Sequence, residues 1–342
     1  MPFASLAAGF LPVLLLLAGL RAMDSYKLVH RRMLFASLIA GAIAAGLAWL
    51  AYRSVLDLAH VDRMLLDRVQ APLLEEALKA AFVAWLIRSG QVGFMVDAAI
   101  CGFAVGTGFG VVENLYYAGA LHDLGLGLWL ARGLGTAVMH GGTTAMFAIL
   151  AQSTSERTGV TGARELLPGY LLAVAVHAAF NLLADHVLIE TAVIIATLPP
   201  LLMLVFERSE RATRDWLGTN LDSEVATLEQ IQGGEVAGTR IGDYLESLRQ
   251  RFPDAVVVDM LCLLRVHLEL SLRAKGMLMA RSVGLDVPPD ESVRANLEEL
   301  RFLERSIGAT GQLAVKTLRQ RSRRDLWQIM VLSRRVESRK GA

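Results

Sequence analysis

Up to about Phe206 the sequence is a succession of apolar runs near 20 residues long, the length a helix needs to cross the hydrocarbon core of a bilayer. Backbone groups in lipid must be satisfied within the segment, so such a chain has one ready solution, a bundle of spanning helices. The runs fall at 3–20, 33–52, 72–87, 92–120, 125–151, 167–183 and 187–206. We therefore expect an all-α, polytopic helical membrane bundle of about seven spans over 1–206. A helical region over 207–342 follows it, where charge becomes dense and of both signs.

The basic residues near the first run, Arg21, Lys27, Arg31 and Arg32, follow it rather than precede it. A signal peptide has the opposite order, so an uncleaved span with its N-terminus outside is expected, and the first loop is cytoplasmic by the positive-inside rule. Seven spans then carry 207–342 into the cytoplasm, in keeping with Arg208, Arg211 and Arg214. Between the second and third runs, 53–71 mixes Arg53, Asp57, Asp62, Arg63, Asp67 and Arg68 with Leu and Met at helical spacing. That pattern reads either as an amphipathic helix at the outer surface or as an ordinary connecting helix. Gly102, Gly106 and Gly110, four apart, let a neighbouring helix approach closely. Pro199-Pro200 predicts a kink in the last span.

The region 207–342 holds 22 Lys/Arg against 20 Asp/Glu, with no one-sided basic face, which argues against nucleic acid as a partner. A helix over 254–283 carries Val258, Leu261, Leu264, Leu268 and Leu272 as an apolar stripe, and a second over 291–307 follows Pro288-Pro289-Asp290 as stop and cap. The stripe suggests a cytoplasmic regulator as partner, or self-association through 254–283. The run Arg319 to Arg324 reads as a solvated helix face or a contact with anionic lipid. Cys101 and Cys262 lie in different halves, so no structural disulfide is expected.

Four polar clusters interrupt the spans: Glu75-Glu76-x-x-Lys79, Phe109-x-x-x-Glu113-Asn114, His140-x-x-x-Thr144 and His177-x-x-x-Asn181. Residues four apart share a helix face, so each His pairs with a second polar group. Alone, a His bonded to a neighbouring carbonyl or a Glu paired with Lys79 is ordinary packing. Three Glu and two His over four spans are not, because desolvation accumulates while each packing gain stays small. Their depths allow one cavity open to the outside. Adjacent Glu75 and Glu76 point about 100° apart, so one of them faces it, and the spacing does not say which.

This ordered set, with the Gly-rich approach Gly106-Thr107-Gly108-Phe109-Gly110 to Glu113-Asn114, resembles the PrsW family of bacterial intramembrane proteases. It is similar in turn to the group containing the CAAX prenyl endopeptidases and bacteriocin-processing membrane proteins. The resemblance covers about 30–206. It implies hydrolysis of a peptide bond in a membrane-tethered protein, with an anti-sigma factor cut on its extracytoplasmic side as the family precedent, and a bacterial inner-membrane location. In the CAAX-type relatives a Glu of the pair acts on water with the His of Phe-x-x-x-His, and His-x-x-x-Asn holds the oxyanion. In this sequence the first of these motifs reads Phe109-x-x-x-Glu113.

Two chemistries stay open. Close carboxylates in low dielectric either share a proton or hold a cation between them. In the first case one Glu of the pair is the base for water, the other carboxyl protonates the leaving amine, and His177 with Asn181 stabilises the oxyanion. In the second, Glu113, His140 and His177 bind a metal, Zn²⁺ being the candidate, while Glu75 or Glu76 is the base. The absence of a compact His-Glu-x-x-His helix tilts the reading towards the metal-free version. The rivals from other classes are a transporter or proton relay, and a non-enzymatic membrane scaffold for the C-terminal region.

Overall fold

A computed structural model describes residues 3–26, 28–58, 66–120, 126–183, 185–219, 221–285, 287–316, 318 and 332. Among these the regular elements are all helical. The chain divides into two compact units, Met1–Glu210 and Arg211–Ala342.

The first unit holds seven long helices, one for each apolar run. They are α1 (Phe3–Met23), α2 (Arg31–Leu58), α3 (Ala71–Arg88), α4 (Met95–Ala120), α5 (Leu126–Thr158), α6 (Ala163–Leu182) and α7 (Val187–Thr219). Five of them, α2 and α4 to α7, contain stretches long and apolar enough to cross a membrane by length and composition. The protein is thus a helical membrane bundle. α3 fails that test because Glu75, Glu76, Lys79 and Arg88 lie within its 18 residues.

Which helices lie inside follows from burial. In the apolar stretches of α4 and α5, 83% and 89% of residues are buried, against 28% in those of α2, α6 and α7. Ile100, Phe103, Ala104, Phe147 and Ala148 fill the α4/α5 core. On α2, Phe35, Ile39, Ile43, Leu47 and Leu50 form an exposed apolar line. Such a line faces lipid in a bundle of this kind.

Glycines set the α4 crossings. A methyl on Gly106 would strike the His140 carbonyl, one on Gly102 would come 2.7 Å from the Thr144 carbonyl, and one on Gly108 would meet Leu38 on α2. The four-residue glycine spacing is the α4/α5 contact line, and it delivers His140 to its place.

Several bounds differ from expectation. α2 continues past 52 to Leu58, and Leu66–Gln70 is a π-helical turn leading straight into α3, with Pro72 in its first turn. Residues 59–65 of the expected 53–71 helix, Asp62 and Arg63 among them, lie outside the described residues. α7 stays helical through Pro199 and Pro200.

In the second unit α9 (Arg240–Leu248), α10 (Asp254–Ser282), α11 (Glu291–Ser306) and α12 (Gly308–Lys316) pack around one apolar cluster, and α8 (Leu221–Gln232), which has no buried residue, contributes none to it. Asp290 caps α11 by accepting from the Val293 amide at 3.1 Å. Hydrogen bonds from Ser292 and Val293, with Arg273 beside them, hold its carboxyl below the usual carboxylate range.

The apolar stripe on α10 needs correction. Val257, Met260, Leu263, Val266, Leu270, Ala274 and Met277 are the buried line, packed with Val293, Leu297, Leu300 and Leu303 of α11. Of the expected stripe Leu264 is buried, Leu261, Leu268 and Leu272 are half-buried, and Val258 is exposed. α10 offers apolar residues around most of its circumference, so the face that α11 covers, not sequence spacing, selects which are core. The Arg319 to Arg324 run lies outside the described residues.

Candidate active site

The pair Glu75 and Glu76 sits in the second turn of α3, and their divergent directions separate their surroundings. Glu76 is 2% exposed, and its Oε1 accepts from Lys79 Nζ at 2.6 Å, His177 Nδ1 at 2.8 Å and Thr143 Oγ1 at 3.3 Å. Glu75 points instead into a cavity of about 540 Å³, where the Tyr52 hydroxyl lies 3.1 Å from its Oε1.

Lys79 is fully buried, yet its charge is well accommodated. Its ammonium reaches Glu76 Oε1, lies 2.8 Å from His140 Nδ1, and stands 4.8 Å from the centre of the Phe109 ring. An ammonium has nothing but protons to offer, so Nδ1 of a neutral His140 accepts and Nε2 carries the proton. That proton goes to Glu113 Oε2, which lies in close contact with Nε2.

The same reasoning orients His177. Glu76, bonded to an ammonium, is a carboxylate and accepts only, so His177 Nδ1 carries the proton it receives. Nε2 is then an open lone pair facing Glu75, whose Oε2 lies 3.8 Å away. The His140 and His177 rings meet edge to face at 4.9 Å.

The cavity lies at one end of the bundle: the end of α2, the start of α3, the end of α4, the start of α5, the end of α6 and the start of α7 all border it. Glu75, Glu113, His177 and Asn181 line it. A family profile described as PrsW family intramembrane metalloprotease matches residues 29–206, more than half of the chain. The chain belongs to the PrsW family. Comparison with curated proteins and with solved structures returned no significant match.

Of the residues singled out in this PrsW-family sequence, Glu75, Glu76, Lys79, Phe109, Glu113, His140 and His177 converge, and Asn181 borders the same cavity. Thr144 does not join them, because its hydroxyl bonds the His140 carbonyl one turn back on its own helix at 2.9 Å. Its neighbour Thr143 lies 3.2 Å from the same carbonyl but also 3.3 Å from Glu76 Oε1. Asn114 is buried and donates to the Gly133 carbonyl at 3.0 Å, tying α4 to α5. Sequence reasoning missed Thr143 and Tyr52. The i+3 spacing from His140 pointed to the first; nothing local pointed to Tyr52, which arrives from another helix.

The family description names a metal, and the donor chemistry can be tested against it. Glu75, His140 and His177 each present one ligand atom, all within 4.8 Å of one another. One carboxylate and two imidazoles are ordinary zinc donors. His177 also has the usual supporting contact, its Nδ1–H given to a carboxylate so that Nε2 faces outward. A Glu75 oxygen and His177 Nε2 have lone pairs free for a divalent cation, and His140 would join them only by giving up its bond to Lys79 or to Glu113. The set brought together has Glu75 in place of the expected Glu113, whose carboxylate is engaged with His140 Nε2.

In this PrsW-family chain Gly106 holds His140 in register, which makes a sharp test. Gly106→Ala is expected to lower thermal stability by about 1–3 kcal/mol through overpacking and to reduce proteolysis with it. Gly46→Ala, where an added methyl meets nothing within 4 Å, serves as the control and should change neither.

Proposed function

We propose that the protein is an intramembrane endopeptidase that hydrolyses a peptide bond of a membrane-tethered protein inside the 540 Å³ cavity, with Glu75 as the base for water. One observation carries the reading: a carboxylate and an imidazole lone pair, Glu75 and His177 Nε2, face each other across a gap open to that cavity. Each can accept one hydrogen of a single water, which turns an oxygen lone pair towards a carbonyl carbon.

The other residues take supporting parts. Glu76 orients His177, and Lys79 neutralises Glu76. His177, protonated on Nδ1, has no proton to give at Nε2, so the amide of Asn181 is the donor for the oxyanion on that wall. Glu75, once it holds the proton taken from water, is the carboxyl that passes it to the leaving amine, while Glu113 accepts from His140 Nε2 beside the cavity. A metal held by Glu75 and His177, with His140 if it releases Lys79 or Glu113, would act as a Lewis acid on the scissile carbonyl and acidify water; it would use the lone pairs that otherwise accept from water, so it is the alternative way of activating water at this site.

The buried apolar residues Ile100, Phe103, Phe147 and Ala148 separate this cluster from Asp97 along α4 and α5, which disfavours a continuous proton or ion path. Residues 1–206 form the protease part in this reading, and 207–342 a cytoplasmic appendage that binds a regulator or self-associates. The positive-inside pattern turns the cavity to the extracytoplasmic side of a bacterial inner membrane, where a regulator such as an anti-sigma factor is the expected class of substrate.

The test is cleavage of a tagged single-span protein by the full chain in liposomes. Cleavage is expected with the parent, is stopped by a chelator, and returns on adding zinc. His177→Ala should abolish it. Cleavage that survives both the chelator and His177→Ala would remove this site.

A further inference from the structure

Glu190 lies in the first turn of α7 and is 1% exposed, yet neither of its carboxylate oxygens has a hydrogen-bond partner. It borders the same cavity as Glu75, His177 and Asn181. The start of α7 offers it a partial positive charge worth a fraction of what a buried carboxylate loses with water.

No nearby donor hydrogen-bonds it, although the charge of Arg132 acts on it through space. Thr191 donates its hydroxyl to the Ala131 carbonyl at 2.9 Å. Arg132, which also borders the cavity, lies over the Tyr117 ring with its guanidinium carbon 4.3 Å from the centroid, and its own Nε has no partner. The wall of the cavity thus presents an acceptor, Glu190, with no donor assigned to it.

A carboxylate only accepts, so what completes it must donate a hydrogen, and in a spanning peptide the N–H groups are the most numerous donors. A spanning substrate supplies such groups when it is opened for hydrolysis. Its residues around the cut leave the helical i to i−4 pattern, and their freed amides need acceptors in a medium that offers no water. A basic side chain is the other source of an N–H.

On the protease reading above, we propose that Glu190 is a substrate-recognition residue that accepts an N–H donor of the bound peptide near the scissile bond.

The experiment uses the full-length protein in proteoliposomes and a synthetic single-span peptide that it cleaves. Each residue within four of the cut is changed in turn, either to the backbone ester, which deletes one amide N–H, or from Lys or Arg to norleucine. Glu190→Ala is expected to raise KM about tenfold with kcat within about twofold, the size of one charged hydrogen bond. At one peptide position, deleting the donor raises KM for the parent by about the same factor and adds nothing in Glu190→Ala. An ester position with this behaviour assigns a main-chain amide, and Glu190→Gln, still an acceptor, then restores most of KM. A norleucine position assigns a basic side chain, and Glu190→Gln does not restore it.

Because Glu190 makes no hydrogen bond without substrate, the isosteric Glu190→Gln protein should melt no lower than the parent. A clear fall in melting temperature, an unchanged KM in Glu190→Ala, or losses that add at every peptide position would overturn this inference alone. No cleavage by the parent overturns the protease reading and this inference together.

Discussion

Glu75→Gln is expected to lower cleavage by about 10²–10⁴-fold, the contribution of a placed general base, with the fold intact. The amide keeps an oxygen for the Tyr52 hydroxyl, and the cavity wall keeps its shape. Glu76→Gln is expected to lose activity by a different route. It takes the charge from a carboxylate that holds both the Lys79 ammonium and His177 Nδ1, so melting temperature falls together with rate. Thermal denaturation alongside the cleavage assay separates the two. A fully active Glu75→Gln protein would exchange the roles of the paired residues.

The second large effect concerns Lys79, one of the largest fully buried side chains among the described residues. Lys79→Met removes the counter-charge of Glu76 and the donor to His140 Nδ1, leaving a 2% exposed carboxylate uncompensated. Breaking one side of a buried pair destabilises by about 3–5 kcal/mol. Replacing both sides is much milder, so Lys79→Met with Glu76→Gln should regain most of that stability while remaining inactive, since His177 has lost the carboxylate that orients it. Denaturation of the two single variants and the double variant measures the coupling. Additive losses would mean that the two residues do not act as a pair.

Much of the site was legible in the residues themselves. Polar groups within apolar runs are expensive, so their positions were informative one by one, and a shared face at i, i+4 linked His177 to Asn181. Thr144 shows the limit of that reasoning. It shares a face with His140, but both Thr143 and Thr144 can bond the His140 carbonyl a turn back, and only Thr143 also comes within reach of Glu76. The metal set shows another limit. Glu113 and Glu75 are both carboxylates at suitable depth, and only the contact of Glu113 with His140 Nε2 distinguishes them.

Only Leu264 of the five stripe residues on α10 is buried, for a related reason. A helix apolar over most of its circumference contains several lines that satisfy the periodicity, and the one that is buried depends on where α11 lies. Spans were firmer because hydrocarbon thickness fixes a length.

By itself the sequence determined that the protein is a helical membrane bundle, and which handful of ionisable residues it retains among the apolar ones, because burying charge in lipid is too unfavourable to be incidental. Only the tertiary structure decided the division of labour: Glu75 to the cavity, Glu76 to Lys79 and His177, each imidazole to its tautomer. Those assignments depend on separations of about 3 Å between atoms on different helices, set by glycine contacts and crossings that no local pattern encodes.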